Sequence, residues 1–119
     1  MRKYKVLLVL AILFSISCAG TSTQDGYAQA TVDYNNTTAN FDKAASKIEA
    51  LRSIEKVSDF QWNLFKSYEA EVIKTDKLVY GDLKAWESSG VKPITFAVNF
   101  DDLKEAHNKV ISLSNEVSK

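Results

Sequence analysis

Cys18 is the single cysteine of the 119-residue chain, and His107 is its single histidine. These residue types most readily make nucleophiles, bases and metal ligands, so their surroundings bound the available chemistry. A metal site or a nucleophile–base pair needs histidine together with cysteine or carboxylates, spaced so that they converge. His107 lies beside an apolar stripe, in Leu103-Lys104-Glu105-Ala106-His107, with no HExxH-like pattern. It reads as an ordinary helix-surface or boundary residue. Asp101 and Asp102 are adjacent and so do not face one another on a helix; charge near a helix N-terminus accounts for them. The pairs Glu69/Glu71 and Glu49/Glu55 read as solvated faces. The four glycines are scattered, and none builds a phosphate-cradling loop. The expectation is a protein with no catalytic residue, no metal ligand and no cofactor, and hence not an enzyme.

Cys18 has a more telling context. Arg2, Lys3 and Lys5 precede an uncharged stretch from Val6 to Ile16, and small residues surround the cysteine from Ser15 to Gly20. That is the order of a secretory signal: a basic start, an apolar run and a small-residue cleavage zone. The run is about 11 residues, whereas roughly 20 are needed to cross a bilayer as a helix, so a permanent transmembrane anchor is not expected. Ser15-Ile16-Ser17-Cys18 resembles the lipobox of bacterial lipoproteins, with Ser15 where the commonest form has leucine. The resemblance implies removal of residues 1–17, acylation at Cys18 with chains such as palmitate, and attachment of the new amino terminus to a membrane. Ala19 follows the cysteine with no aspartate to act as a retention signal. By resemblance to enteric lipoproteins, this implies the outer membrane, facing the periplasm, where the host has one. Two other readings stay open. One is an ordinary secretory signal cut near Ala19 or Gly20, releasing a soluble protein. The other is eukaryotic secretion, because Asn35-Asn36-Thr37-Thr38 holds two overlapping glycosylation acceptors.

Processing changes the electrostatics. The whole chain balances 15 basic against 15 acidic side chains, and loss of Arg2, Lys3 and Lys5 leaves 12 against 15, a net charge of −3. Such a chain has no electrostatic footprint for nucleic acid and no polybasic patch for anionic lipid. Attachment would rest on the acyl chains, of which two suffice for stable anchoring. One small domain is expected from the remaining length. With no second cysteine there is no intrachain disulfide, so stability must come from an apolar core. Residues 18–26 read as the lipidated cysteine and a small, polar tether; residues 27–119 read as the domain.

Neither glycine nor proline interrupts the chain between Tyr27 and Tyr80, which argues against a β fold. Tyr27, Tyr34, Phe41 and Ile48 recur every seven residues, with Ala30, Ala44 and Leu51 three further along. Phe65, Val72, Val79 and Trp86 repeat the spacing, supported by Tyr68 and Leu83; Phe96, Leu103, Val110 and Val117 repeat it again, supported by Phe100, Ala106 and Leu113. A seven-residue repeat lines one face of a helix and favours supercoiled packing. The fold class predicted is all-α: a small antiparallel three-helix bundle, with helices near 28–56, 59–88 and 95–117.

The breaks carry their own signals. In Val57-Ser58-Asp59-Phe60-Gln61-Trp62, Ser58 is placed as N-cap, Gln61 as its reciprocal partner, and Val57 and Trp62 as the hydrophobic staple. The rival is one unbroken helix, which would put Glu55, Ser58, Glu69 and Asp76 along the seam. Gly90 and Pro93 end the second helix. The third starts soon after Pro93, or alternatively is capped by Asn99 with Val98 and Leu103 as staple. Asn35, Asn36, Thr37 and Thr38 are weak helix formers, so the first helix could begin as late as Asn40.

Aromatic residues crowd the second helix: Phe60, Trp62, Phe65, Tyr68, Tyr80 and Trp86. A middle helix touching two neighbours explains much of this. The functional alternative is an exposed patch for a protein partner, with Tyr68, Tyr80 and Trp86 as the candidate contacts. Gly81, beside Tyr80, would allow another helix to approach closely. The Val57-to-Trp62 turn also resembles the inter-helix turn of small lipobox-bearing helical proteins from phages, prophages and bacterial genomes. That resemblance implies an accessory envelope lipoprotein, some of which block infection or conjugation. Two functional classes follow: a module that binds another envelope protein, with exclusion of a phage or plasmid as one such role, and a structural lipoprotein with no specific partner. Oligomeric state is not legible in the sequence.

Overall fold

The computed structural model describes residues 25–119, which fold into three helices: α1 Asp25–Ser53, α2 Asp59–Ser89 and α3 Phe96–Val117. The signal peptide, Cys18 and most of the tether lie outside the described residues. The helices pack together as an all-α bundle, up, down and up, measuring 51 × 23 × 20 Å. Its long dimension matches α2, whose 31 residues span about 46 Å at 1.5 Å per residue. The α2–α3 interface is the most extensive and α1–α2 the least.

Helix α1 starts at Asp25, earlier than either boundary predicted for it, and runs through Asn35–Thr38 without interruption. Packing overrides propensity here. Tyr34 and Thr38 are buried, and Thr31 Oγ1 donates a 2.9 Å bond to the Tyr27 carbonyl. Each anchors a turn that the weak formers alone would not hold. The helix ends at Ser53, three residues short of expectation. Glu55 N–H bonds to the Arg52 carbonyl (3.0 Å) and Lys56 N–H to the Leu51 carbonyl (2.8 Å). With Glu55 at φ 61°, this is a Schellman stop built on a non-glycine residue.

The break before α2 forms as the capping pattern predicts. Ser58 Oγ accepts from Gln61 N–H, and Gln61 Oε1 accepts from Ser58 N–H. Val57 is buried and Trp62 half-buried. Arg52 braces the corner: it donates to the Val57 carbonyl (3.0 Å), pairs with Asp59 (2.8 Å) and lies 5.5 Å above the Trp62 ring. Gly90, at φ 73°, closes α2 with its N–H on the Trp86 carbonyl. Helix α3 begins at Phe96, the start soon after Pro93. The Asn99 cap is not used. Asn99 Nδ2 and Thr95 Oγ1 both donate to Asp82, each at 2.9 Å, and Val98 is exposed rather than stapled.

The core follows the three stripes, with two corrections. Completing the α2 seam between Phe65, Val72 and Val79 are Glu69 and Asp76, both buried, while Tyr68 stands at the flank. Glu69 is therefore not on a solvated face. His107 is likewise buried, not a surface or boundary residue. In each case the 3–4 alternation of the helix carries the side chain inward whatever its polarity.

Candidate functional site

Several buried polar side chains, Thr38, Glu69, Asp76 and His107, lie along the middle turns of the three helices. Tyr34 on α1 donates its phenol to Asp76 Oδ1 on α2 at 2.7 Å. Glu69, two turns earlier on α2, accepts from Lys66 Nζ at 2.9 Å, the lysine reaching in from the surface. On α3, the His107 ring stacks on Phe41, with centroids 4.9 Å apart and planes 14° from parallel. The cross-helix pairs Glu71–Lys109 (3.2 Å) and Asp82–Asn99 set the α2–α3 register. That register places His107 opposite the stretch of α2 between Glu69 and Asp76.

The environment of these groups shows in the Tyr34 phenol. Burial pushes the Tyr34 hydroxyl well above the usual tyrosine range, and the neighbouring Asp76 charge and hydrogen bond push it further. Burial also raises Tyr27, with Glu87 adding to the effect. A phenol held neutral in this way is a donor, not a base. The surface grooves are lined by other residues. One of about 320 Å³ lies between α1 and α3, against Lys43, Lys47, Ile111 and Asn115. These polar groups can thus fix helix register, as polar groups in a heptad seam do.

The candidate partner residues do not form one surface. Trp86 is 4% exposed. Its indole meets Tyr27 edge-on at 5.8 Å and Phe96 edge-on at 5.4 Å, so it holds the first turn of α1 against α3. A Cβ on Gly26 would come within 3.3 Å of that indole. Tyr68 is half-buried on the α3 flank of α2, with Lys109 Nζ 5.9 Å above its ring. Tyr80 is half-buried on the α1 flank, near enough to Tyr27 and Tyr34 to act on both electrostatically. Gly81 faces open space, so no helix of this bundle uses it for close approach.

Comparison with protein-family models, with curated proteins and with solved structures finds no match. Among the described residues, no group of three or more histidine, cysteine, aspartate and glutamate side chains is placed to hold a metal ion. No described helix is long and apolar enough to cross a membrane. The most exposed large apolar side chains lie at the two ends, Ile54 and Phe60 by the α1–α2 corner and Val91, Ile94 and Val98 around the α2–α3 loop, while Val32 on α1 and Leu78 on α2 are less exposed and lie along the bundle. Sequence reasoning missed the buried acids and histidine. The signal was present as an unbroken 3–4 alternation, Trp62, Phe65, Glu69, Val72, Asp76, Val79, Leu83, Trp86.

Proposed function

We propose that this protein is a lipid-anchored bacterial envelope lipoprotein, non-catalytic, whose bundle is a module for binding another envelope protein. The lipobox-like Ser15–Cys18 segment supports the anchoring. The supporting structural observation is that α1 begins at Asp25, seven residues after Cys18 and at one end of the bundle. A chain attached there leaves the two flanks of α2 as separate half-exposed contacts for a neighbour, Tyr68 on the α3 side and Tyr80 on the α1 side. Trp86 is withdrawn from both. Exclusion of a competing phage or plasmid is one role that such a module would serve, and phage or conjugation genes beside this one would favour it.

The test has two parts. Detergent partitioning and intact mass of the membrane-extracted protein should show acyl mass that a Cys18→Ala variant lacks. A wild-type protein as soluble as that variant, with no acyl mass, overturns the anchoring. Photo-crosslinking from position 68 or 80 in native membranes should then give one dominant partner. Scattered contacts with abundant neighbours would replace the module by a structural lipoprotein without a specific partner.

A further inference from the structure

We infer that the α2–α3 loop is a second, shallow membrane contact, so that the bundle stands on the bilayer with this end down. The inference rests on the lipid anchoring proposed above. Three apolar side chains within eight residues face water here: Val91 at 67%, Ile94 at 97% and Val98 at 63% exposure. One exposed apolar side chain needs no explanation, but three around a single loop cluster in the way that marks an interaction surface.

Bundle geometry selects the occupant. The first turn of α1 packs on Trp86, at the end of α2 from which this loop departs. The chain from Cys18 to Asp25 reaches at most about 25 Å when fully extended. An acylated Cys18 would therefore hold this end near the bilayer. The opposite end, with Ile54 and Phe60, lies farther off along a bundle 51 Å long. The local charges fit a shallow contact. Lys92 lies 5.8 Å from both the Trp86 and the Phe96 ring, its ammonium placed beside apolar groups as at a headgroup boundary. Asp82 is engaged by Thr95 and Asn99, and Glu87 by Lys84. Asp101 and Asp102 follow Val98 by about one turn of α3, which limits insertion to roughly 5 Å, the shallow end of interfacial burial.

The test uses the full chain, processed in bacteria and reconstituted into phosphatidylethanolamine/phosphatidylglycerol vesicles. An environment-sensitive dye is placed on Ile94→Cys or, as the opposite-end control, on Ile54→Cys; acylation at Cys18 leaves the introduced thiol as the labelling site. Brominated lipids should quench the dye at position 94 at least several-fold more than at position 54. Equal quenching at both ends, or a dye at 94 shielded from water yet untouched by brominated lipid, overturns the inference. Intact mass of the same sample separates the failures. Acylated protein without selective quenching sinks this inference alone, whereas protein lacking acyl mass sinks the lipoprotein reading and this one with it.

Discussion

Tyr34 and Asp76 meet across the α1–α2 interface through a 2.7 Å hydrogen bond, with both side chains removed from water. This is the least extensive helix pair in the bundle, so one strong polar contact there has unusual weight in setting how α1 lies on α2.

Tyr34→Phe keeps the ring and removes the donor. Leaving a buried acceptor short of a partner costs about 1–3 kcal/mol. Urea denaturation should show that loss, with an unchanged slope. Adding Asp76→Leu to the same chain should recover part of it, because the buried charge is then gone as well. An additive double mutant would mean that the two side chains are not coupled.

Stability should decline in alkali. The folded Tyr34 and Tyr27 hydroxyls hold their protons above the usual tyrosine range, Tyr34 chiefly through burial. The unfolded phenols ionise near pH 10. Stability from these groups is therefore complete below about pH 10 and falls as pH rises toward the folded values. Denaturation midpoints measured between pH 9 and 11 should drop, and Tyr34→Phe should flatten the drop.

Core and surface substitutions should separate clearly. Phe65→Ala, at a fully buried ring, should cost about 3–5 kcal/mol, and Val110→Ala somewhat less. Lys74→Ala, at an exposed position, should stay within about 0.5 kcal/mol. Lys66→Ala should fall between them, near 1 kcal/mol, because Lys66 partners the buried Glu69 carboxylate while itself half in water. Thermal and chemical melts would rank the four.

The α1–α2 corner offers a gain and a loss. Glu55 occupies the left-handed C′ position at φ 61°. Glu55→Gly should relieve that strain and stabilise by about 0.5–1 kcal/mol. Ser58→Ala removes half of the capping box and should cost about 1 kcal/mol. If Glu55→Gly destabilises instead, the carboxylate has a role at the corner beyond filling the turn.

The amino-acid pattern alone carries the three helices, favours a break at the Ser58 cap over one continuous helix, and offers a start of α3 soon after Pro93 as one of two. Those features are local: seven-residue spacing, a capping box and a glycine stop act within one or two turns and need no distant partner. The Cys18 reading is of the same kind and lies outside the described residues. Tertiary structure decided the rest. In the sequence, Glu69 and Asp76 argue against a long helix because they would line its seam; they line the seam of α2 regardless, and capping chemistry makes the break. Helix α1 persists through Asn35–Thr38 because Tyr34 and Thr38 find buried positions against neighbours that no local rule supplies. His107 is buried because α3 turns it toward Phe41, and Trp86 because α1 folds back over it. Periodicity tells which residues share a face, whereas burial of a polar or aromatic side chain depends on what the other two helices bring to that face.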